Sequence, residues 1–241
     1  MIRVKFENVT KYYTLLNTGG IKNFILHFFN HIKTIKDNKF LALDNISFEI
    51  KDKDVVGIVG KNGAGKSTTL GLIANVLSPT KGKVTIKGKI APLLELGAGF
   101  HPDLSGRENI ILNGILLGMT KKEILKKLDS IIEFSELQDF IDQPIRIYSS
   151  GMMSRLGFSV AVHSNPDILL IDEVLSVGDA KFQEKSKNKI YEFKQKGKTI
   201  IFVSHDINIV RELCDKIIVI NQHKILYQGD VEKGIKIYEN L

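Results

Sequence analysis

One stretch of eight residues, 60–67, constrains the fold of this chain more than any other. It spells Gly-Lys-Asn-Gly-Ala-Gly-Lys-Ser, the pattern of a phosphate-binding loop. A short apolar run over 55–59 precedes it and predicts a strand that is buried on both faces. Residues 68–77 follow with apolar side chains spaced for one face of a helix. The loop therefore lies between a strand and a helix, which is the context that a nucleotide site requires.

The chemistry of this phosphate loop (60–67) follows from its residue types. Glycines let backbone N–H groups turn towards a phosphate, and the start of the next helix adds partial positive charge. Lys66 is expected to reach the β- and γ-phosphates, and the Ser67 hydroxyl to ligate Mg²⁺. The residues that we expect to hold the nucleotide here are Gly60, Asn62, Gly63, Ala64, Gly65, Lys66, Ser67 and Thr68.

Composition limits the class of protein. The 241 residues are 43% hydrophobic and 25% charged, as in an ordinary globular protein, and no apolar run reaches the length of a membrane span. The N-terminus lacks the apolar core of a signal peptide, and the single cysteine, Cys214, excludes an internal disulfide. The net charge of +7 comes mostly from dispersed lysines, which favours a solvated surface over the alternative of a nucleic-acid surface, and we expect no nucleic-acid partner. An anionic membrane surface nearby fits the same charge.

Residues 14–40 are an unexpected insert between two predicted strands. Apolar residues over 21–35 recur at spacings of three and four and define one helical face, while lysines and asparagines occupy the other. A basic amphipathic helix with aromatic residues is typical of a membrane surface or a partner interface. Packing against the core of this protein remains the alternative.

The rest of the chain alternates between two patterns. Residues from about 100 to 150 carry only helical periodicity, which predicts a helical subdomain inserted into an α/β core. From residue 167 onwards, apolar strands and helices alternate again. We therefore treat 1–241 as one domain.

Three polar residues follow two of the apolar strands of this α/β core. In open parallel sheets, ligands bind at the carboxyl ends of the strands. Asp172 is expected to bind Mg²⁺, and Glu173 to orient or deprotonate the attacking water. His205, after the next strand, is expected to contact the γ-phosphate.

Two further motifs leave alternatives open when taken alone. Tyr148-Ser-Ser-Gly-Met152 precedes a helix, so its serines predict either an anion site or an ordinary N-cap. Tyr12 and Tyr13, upstream of the phosphate loop, predict either stacking on a nucleotide base or packing at a sheet edge.

Taken in order, these motifs resemble those of the ATP-binding-cassette ATPases over essentially the whole chain. The resemblance implies a nucleotide-binding domain with an antiparallel β subdomain and an inserted helical subdomain. It implies two copies that enclose two ATP molecules head to tail, with Mg²⁺. Ser149, Ser150 and Gly151 of one copy would face the γ-phosphate held by Lys66 of the other. By the same resemblance Asp179 would lie across the dimer, and Tyr13 (or Tyr12) would stack on adenine.

Two positions depart from the pattern of that family. Its signature sequence is normally Leu-Ser-Gly-Gly-Gln, whereas this chain has Tyr-Ser-Ser-Gly-Met at 148–152. Where the family usually has a glutamine that links Mg²⁺ to the transport subunit, this chain has Glu95. A carboxylate there is expected to ligate Mg²⁺ more strongly than an amide.

The segments 93–102, 106–110, 148–152 and 175–179 resemble one subfamily, the ATP-binding subunits of bacterial polysaccharide exporters of the O-antigen, capsule-like and teichoic acid types. The resemblance implies a peripheral protein on the cytoplasmic face of the plasma membrane, bound to an integral-membrane permease and powering export of a lipid-linked polysaccharide. The insert helix would lie against the permease. A C-terminal carbohydrate-binding domain, which some members carry, is absent from 1–241. The alternatives are a different exported substrate and, with less support, a DNA-repair or translation-associated ATPase of the same superfamily.

Overall fold

The structure is a computed structural model, and it describes residues 1–14, 39–93, 96–172, 178–204 and 206–241. The strands are β1 (Ile2–Thr14), β2 (Lys39–Lys51), β3 (Val55–Val59), β4 (Lys81–Ile86), β5 (Ile90–Leu93), β6 (Ile168–Asp172), β7 (Thr199–Val203), β8 (Lys216–Asn221) and β9 (Lys224–Gly229). The helices are α1 (Lys66–Ile73), α2 (Gly106–Leu116), α3 (Lys121–Ser135), α4 (Ser150–His163), α5 (Ala180–Gln195), α6 (Ile207–Leu213) and α7 (Val231–Glu239). Two 3₁₀ turns, Gln138–Phe140 and Ile145–Ile147, connect α3 to α4.

The strands form two sheets. The larger sheet has the order β5-β6-β7-β3-β8-β9 and is parallel except for the pair β8 and β9. The smaller sheet has the order β2-β1-β4 and is antiparallel. This arrangement confirms the predicted α/β fold class with its antiparallel subdomain. It also brings the carboxyl ends of β3, β6 and β7 to one edge of the larger sheet.

Strand β3 is buried along its whole length because the sheet is covered on both faces. Alternate side chains enter two separate apolar clusters. Val55 and Val59 pack with Phe158 and Phe182 from α4 and α5 on one face. Val56 and Ile58 pack on the other face with α1 and the smaller sheet. The phosphate loop therefore starts from a strand that is buried throughout.

A third apolar cluster forms the core of the helical subdomain, from α2, α3 and α4. Capping boxes fix the starts of α2 and α3, since Ser105 pairs with Glu108 and Thr120 with Glu123. Helix α4 belongs to two clusters: Phe158 packs against the larger sheet, and Leu156 packs against α2 and α3. Helix α4 thus connects the helical subdomain to the α/β core.

Two boundaries differ from the sequence-based expectation. Helix α1 ends at Ile73, four residues before the predicted 77, because Asn75 adopts a left-handed conformation with φ 57°. The pattern of residues 83–90 indicates an alternating strand and a turn, whereas in the structure β4 ends at Ile86 and β5 begins at Ile90, in a different sheet. The predicted helix at 21–36 lies outside the described residues. Among the described helices, none combines the length and apolarity needed to cross a membrane.

Candidate nucleotide-binding and hydrolysis site

The phosphate loop connects β3 to α1, and the backbone at two of its glycines leaves no room for a side chain. Gly65, at the N-cap of α1, has φ +110°, and a Cβ there would lie 2.5 Å from the carbonyl oxygen of Ala42. A Cβ on Gly60 would lie 2.2 Å from the carbonyl oxygen of Ile220. Neighbouring strands therefore hold the loop in place, and its N–H groups remain available at the start of α1.

Lys66 is buried, with 7% of its surface exposed, and its ammonium group lies over the loop. Nζ donates hydrogen bonds to the carbonyl oxygens of Gly60, at 2.8 Å, and Lys61, at 3.1 Å. The loop thus positions a fixed positive charge at the mouth of a cavity of about 290 Å³. This phosphate-loop cavity is lined by Phe40, Ala42, Asn62, Gly63, Gly65, Lys66, Ser67, Thr68 and Asp172. The loop members Gly60 and Ala64 are buried and are not among these lining residues.

Ser67 and Asp172 reach the same cavity from two different elements, the start of α1 and the end of β6. A hydroxyl and a carboxylate are hard oxygen ligands, which suit Mg²⁺. Within the described ranges no group of three His, Cys, Asp or Glu is arranged to hold a metal ion alone. That donor set fits Mg²⁺, which usually takes one or two protein oxygens and completes its shell with waters and substrate phosphates.

Tyr13 lies beside the phosphate loop, and Tyr12 does not. The Tyr13 hydroxyl is 3.4 Å from Oγ1 of Thr68, and the Lys11 ammonium lies 5.2 Å from the centre of its ring. Consecutive residues of a strand point to opposite faces, and the backbone N–H of Tyr12 donates instead to Thr80. Of the two tyrosines that the sequence left open, the geometry favours Tyr13.

Sequence reasoning missed Phe40. It pairs with Tyr13 in the β1–β2 register, lines the phosphate-loop cavity and is 48% exposed. An aromatic side chain this exposed provides a flat surface for a nucleotide base. The sequence predicted Phe40 as the last residue of the insert 14–40, whereas the structure places Thr14 in β1 and residues 39–40 in β2.

The segment Tyr148–Met152 leads into α4, which begins at Ser150, inside the motif that the sequence placed before the helix, and the N-cap alternative is present. Ser149 is the N-cap, and its hydroxyl accepts a hydrogen bond of 3.2 Å from the backbone N–H of Met152. A second cavity, of about 500 Å³, opens here, and we call it the signature cavity. It is lined by Ser149, Ser150, Gly151, Met152, Ser154, Arg155, Gly178 and Asp179. None of these residues lines the phosphate-loop cavity, so one chain holds the two groups of residues apart.

Arg155 organises the signature cavity, and sequence reasoning missed it. Its Nη2 lies 3.1 Å from the Glu136 carboxylate and 3.3 Å from the Asp179 carboxylate, and its guanidinium lies 4.9 Å from the centre of the Phe182 ring. Asp179 also caps α5 by accepting from the backbone N–H of Phe182 at 2.9 Å. That backbone hydrogen bond, with Arg155 and Lys181 nearby, lowers the pKa of Asp179. Asp179 is therefore held ionised at one position.

Three of the predicted site residues, Glu95, Glu173 and His205, lie outside the described residues, so their roles stay predictions. The structure describes the residues directly before two of them. Asp172, immediately before Glu173, lines the phosphate-loop cavity. Ser204, immediately before His205, is buried at the end of β7, the strand next to β6.

Comparison with known proteins identifies the family. The sequence model described as ABC transporter matches residues 43–176, which include the phosphate loop, Ser149–Gly151 and Asp172. The chain belongs to the ABC transporter family. As a member of this family it is an ATP-binding subunit whose ATPase activity is coupled to transport.

Relatives of high identity are ATP-binding subunits of export systems. The chain is 50% identical over 238 residues to the O-antigen export system ATP-binding protein RfbB of Klebsiella pneumoniae, covering 98% of this chain and 97% of that protein. It is 47% identical over 239 residues to the teichoic acids export ATP-binding protein TagH of Lactococcus lactis, covering 99% of this chain but 51% of that protein. This ABC subunit thus spans nearly all of the first relative and about half of the second.

Solved structures of ABC cassettes share the fold. A dimeric ATP-binding cassette in a post-hydrolysis state, bound to ADP and Pi, superposes with a TM-score of 0.74 at 26% identity, covering 95% of this chain and 98% of that one. The ATP-binding subunit of an ABC transporter gives a TM-score of 0.76 at 18% identity, covering 98% of this chain and 93% of that one. The first of these cassettes is a dimer with nucleotide bound.

Proposed function

We propose that two copies of this ABC subunit bind head to tail and hydrolyse ATP at sites shared between them, powering export of a lipid-linked polysaccharide through a separate membrane permease. The observation that carries this proposal is the separation of the two cavities within one chain. The phosphate-loop cavity holds Lys66 and Ser67, and the signature cavity holds Ser149–Gly151 and Asp179. A second copy, related by a two-fold axis, would bring each signature cavity to the phosphate-loop cavity of the other.

Within each shared site the residues would have distinct tasks. Lys66 and the loop N–H groups would bind the β- and γ-phosphates, and Ser67 and Asp172 would hold Mg²⁺, with Glu95 as a further oxygen ligand. Mg²⁺ would neutralise charge on the phosphate oxygens. Ser149, Ser150 and Gly151 would donate to the γ-phosphate of the partner copy, since α4 begins there and its N-terminus favours anions. Tyr13 and Phe40 would flank the adenine.

Glu173 and His205 would complete the hydrolytic machinery. Glu173 directly follows Asp172, where a carboxylate could take a proton from the attacking water, an effect of about 10²–10⁴ in rate. His205 follows the neighbouring strand β7, which ends beside Asp172 in the register of β6 and β7. Asp172 and Ser204, the described residues directly before them, follow or end strands at the carboxyl edge of the parallel sheet, where ligands of such sheets bind.

The permease would contact an apolar cavity of about 360 Å³ on the far side of Asp172. This apolar cavity is lined by Ser67, Leu70, Gly71, Val76, Leu77, Pro92, Ala98 and Asp172. Large apolar side chains are exposed on and near it, with Val76 at 76% and Leu116 at 63%, and exposed apolar surface is typical of a protein interface. Ser67 and Asp172 line both this cavity and the phosphate-loop cavity, so the two sites share side chains. The insert helix would add a second contact at the cytoplasmic face of the plasma membrane.

The cargo is proposed from the relatives. Names that specify O-antigen and teichoic acid export accompany 45–50% identity over at least 98% of this chain. The lipid-linked polysaccharide is the class of cargo that the resemblance to these exporters implies. A different exported substrate is the alternative, because the permease supplies the path that the substrate takes.

Two experiments test the hydrolysis and the cargo separately. Glu173→Gln should abolish turnover of the purified chain, while Glu184→Gln, an exposed carboxylate on α5, should leave turnover unchanged. Near-normal turnover of Glu173→Gln would refute the assignment of the base.

For the cargo, cells that lack the chain should lose surface polysaccharide and regain it with the native chain but not with Glu173→Gln. Unchanged surface polysaccharide in the deleted cells would refute the cargo and leave the ATPase assignment standing.

A further inference from the structure

A cleft of about 190 Å³ lies outside both nucleotide cavities, between α3, the end of α4 and the end of α5. We call it the lysine pocket, and its lining residues are Lys127, Val162, His163, Asn165, Lys189, Glu192, Phe193, Lys196 and Lys198. Lys198 directly precedes β7, so the pocket is at the amino edge of the parallel sheet, opposite the phosphate loop. Helix α4 extends from Ser149 at the signature cavity to His163 here, about 21 Å away along its axis.

The charges of the lysine pocket are unbalanced. Four lysines line it together with a single carboxylate, Glu192. Glu192 accepts from Lys189 at 2.8 Å and also contacts Lys196, and these hydrogen bonds lower its pKa to about 2. Glu192 therefore stays ionised at neutral pH but is already shared by two of the four lysines. The positive charge that remains has no counterpart among the lining residues.

The hydrogen bonds of the pocket hold its donors in place. Lys127 donates to the carbonyl oxygen of His163 at 2.8 Å, which fixes its ammonium group at the end of α4. Nδ1 of His163 lies 2.7 Å from the carbonyl oxygen of Ser159 and must donate to it, because a carbonyl only accepts. Val162 and Phe193 are buried and supply apolar wall. All four lysines line the same cleft, and three of them are held there by these contacts and by Glu192.

The positive charges of the pocket also affect the pKa of His163. Burial lowers its pKa, and the ammonium groups of Lys189 and Lys127 lower it further, against the opposing effects of its hydrogen bond to Ser159 and of Glu192. The imidazole is thus neutral at neutral pH in a site of positive potential. A multivalent anion bound in the cleft would make the electrostatic potential at the His163 ring negative, which would favour the protonated imidazolium.

We infer that the lysine pocket binds a small phosphate anion, such as inorganic phosphate or pyrophosphate. Ammonium groups bind phosphate as point charges, and several that converge bind it more tightly than one. A volume of about 190 Å³ admits such an ion with a few waters, each of which occupies about 30 Å³ in the liquid. A phospholipid headgroup presents the same chemistry, and the test below separates the two sources.

Titration of the ADP-saturated full chain with inorganic pyrophosphate tests the inference, because ADP occupies the phosphate loop. Binding is measured by calorimetry and by the His163 ring resonances in NMR, which His163→Gln identifies. Pyrophosphate should shift those resonances towards the imidazolium form. The double variant Lys189→Gln/Lys198→Gln should weaken binding by about tenfold or more, since it removes two charge-assisted contacts. The matched variant Lys121→Gln/Lys122→Gln, which removes two exposed charges of α3, should change it by less than about twofold.

Folding of both double variants is checked by their urea midpoints, so that a loss of binding is not a loss of structure. Absence of any shift of His163 at about 10 mM pyrophosphate, or equal weakening by the two double variants, would overturn the inference. Sedimentation with phosphatidylglycerol vesicles identifies the source. Vesicle binding that pyrophosphate displaces and Lys189→Gln/Lys198→Gln abolishes would assign the pocket to a lipid headgroup. Its absence, with pyrophosphate bound, assigns the pocket to the free anion.

Discussion

Arg155 and Asp179 meet at 3.3 Å, Nη2 to Oδ2, across the signature cavity of this ABC subunit. The same nitrogen lies 3.1 Å from Oε2 of Glu136, which is in a left-handed conformation where α3 ends. One guanidinium therefore connects the helical subdomain, the signature helix α4 and the start of α5. Because Ser149 and Asp179 line a single cavity, the position of one relative to the other depends on Arg155.

Arg155→Ala should destabilise the chain by about 1.5–3 kcal/mol, the range for hydrogen bonds to charged groups. The side chain is only 16% exposed, and its removal takes one of the ion pairs of Glu136 and the guanidinium beside Asp179. Urea unfolding measures the loss. Arg107→Ala is the control, since the ion pair of Arg107 with Asp142 is exposed. This variant should lower the free energy of unfolding by about 0–1 kcal/mol. Equal losses for the two variants would contradict the structural role of Arg155.

Replacing Gly65 of the phosphate loop by alanine should lower the free energy of unfolding more than replacing Gly63. A Cβ at Gly65 meets the Ala42 carbonyl oxygen at 2.5 Å, whereas a Cβ at Gly63 has no atom within 4 Å. Gly63→Ala should therefore lower the free energy of unfolding by about 1–2 kcal/mol, because the alanine must adopt the left-handed φ of +78° at this position. In Gly65→Ala the new Cβ also clashes with the backbone of Ala42, so this variant should lose more of the free energy of unfolding. Thermal unfolding of both variants tests the order, which a larger loss for Gly63→Ala would contradict.

Lys66→Ala should weaken ATP binding by about 10–100-fold, since one charge-assisted contact contributes about 1.5–3 kcal/mol and 1.4 kcal/mol is tenfold. Binding of a fluorescent ATP analogue measures the effect. Lys61→Ala is the matched control, because Lys61 is an exposed side chain of the same loop that contacts the Leu241 carbonyl. A similar loss for both lysines would indicate a general effect of charge rather than a phosphate contact of Lys66.

The fold class and the order of the main elements were predictable from the sequence. The strands are short and apolar, and the phosphate-loop motif occurs between a strand and a helix. The α/β class, the helical subdomain and Ser149 as a cap follow from local patterns of that kind. Arg155 was not predictable, because its partners Glu136 and Asp179 are far along the chain and meet only in the folded structure. Phe40 was missed for the same reason, since its pairing with Tyr13 crosses the insert. The assignment of β4 and β5 to different sheets likewise depends on tertiary pairing.

Cys214 should be inert in the folded chain. Burial raises the pKa of its thiol to about 12, so almost none is thiolate at pH 8. Reaction with a thiol reagent at pH 8 should be at least about 100-fold slower than in urea, where the pKa returns to about 8.5. Because the folded-state pKa is the higher one, this group's contribution to stability is complete below pH 8.5 and decreases as the pH rises towards 12. Rapid labelling of the native chain would contradict its burial.

The shared ATP site is tested most directly by the mass of the Glu173→Gln chain in solution, by light scattering with and without ATP. We expect a monomer without ATP and a dimer with it, because the variant binds ATP but does not hydrolyse it. Adding Ser149→Arg should keep ATP binding, measured with the fluorescent analogue, and return the mass to that of a monomer, since the arginine would occupy the signature cavity. An ATP-bound monomer of Glu173→Gln, or a dimer that Ser149→Arg leaves intact, would contradict the composite site.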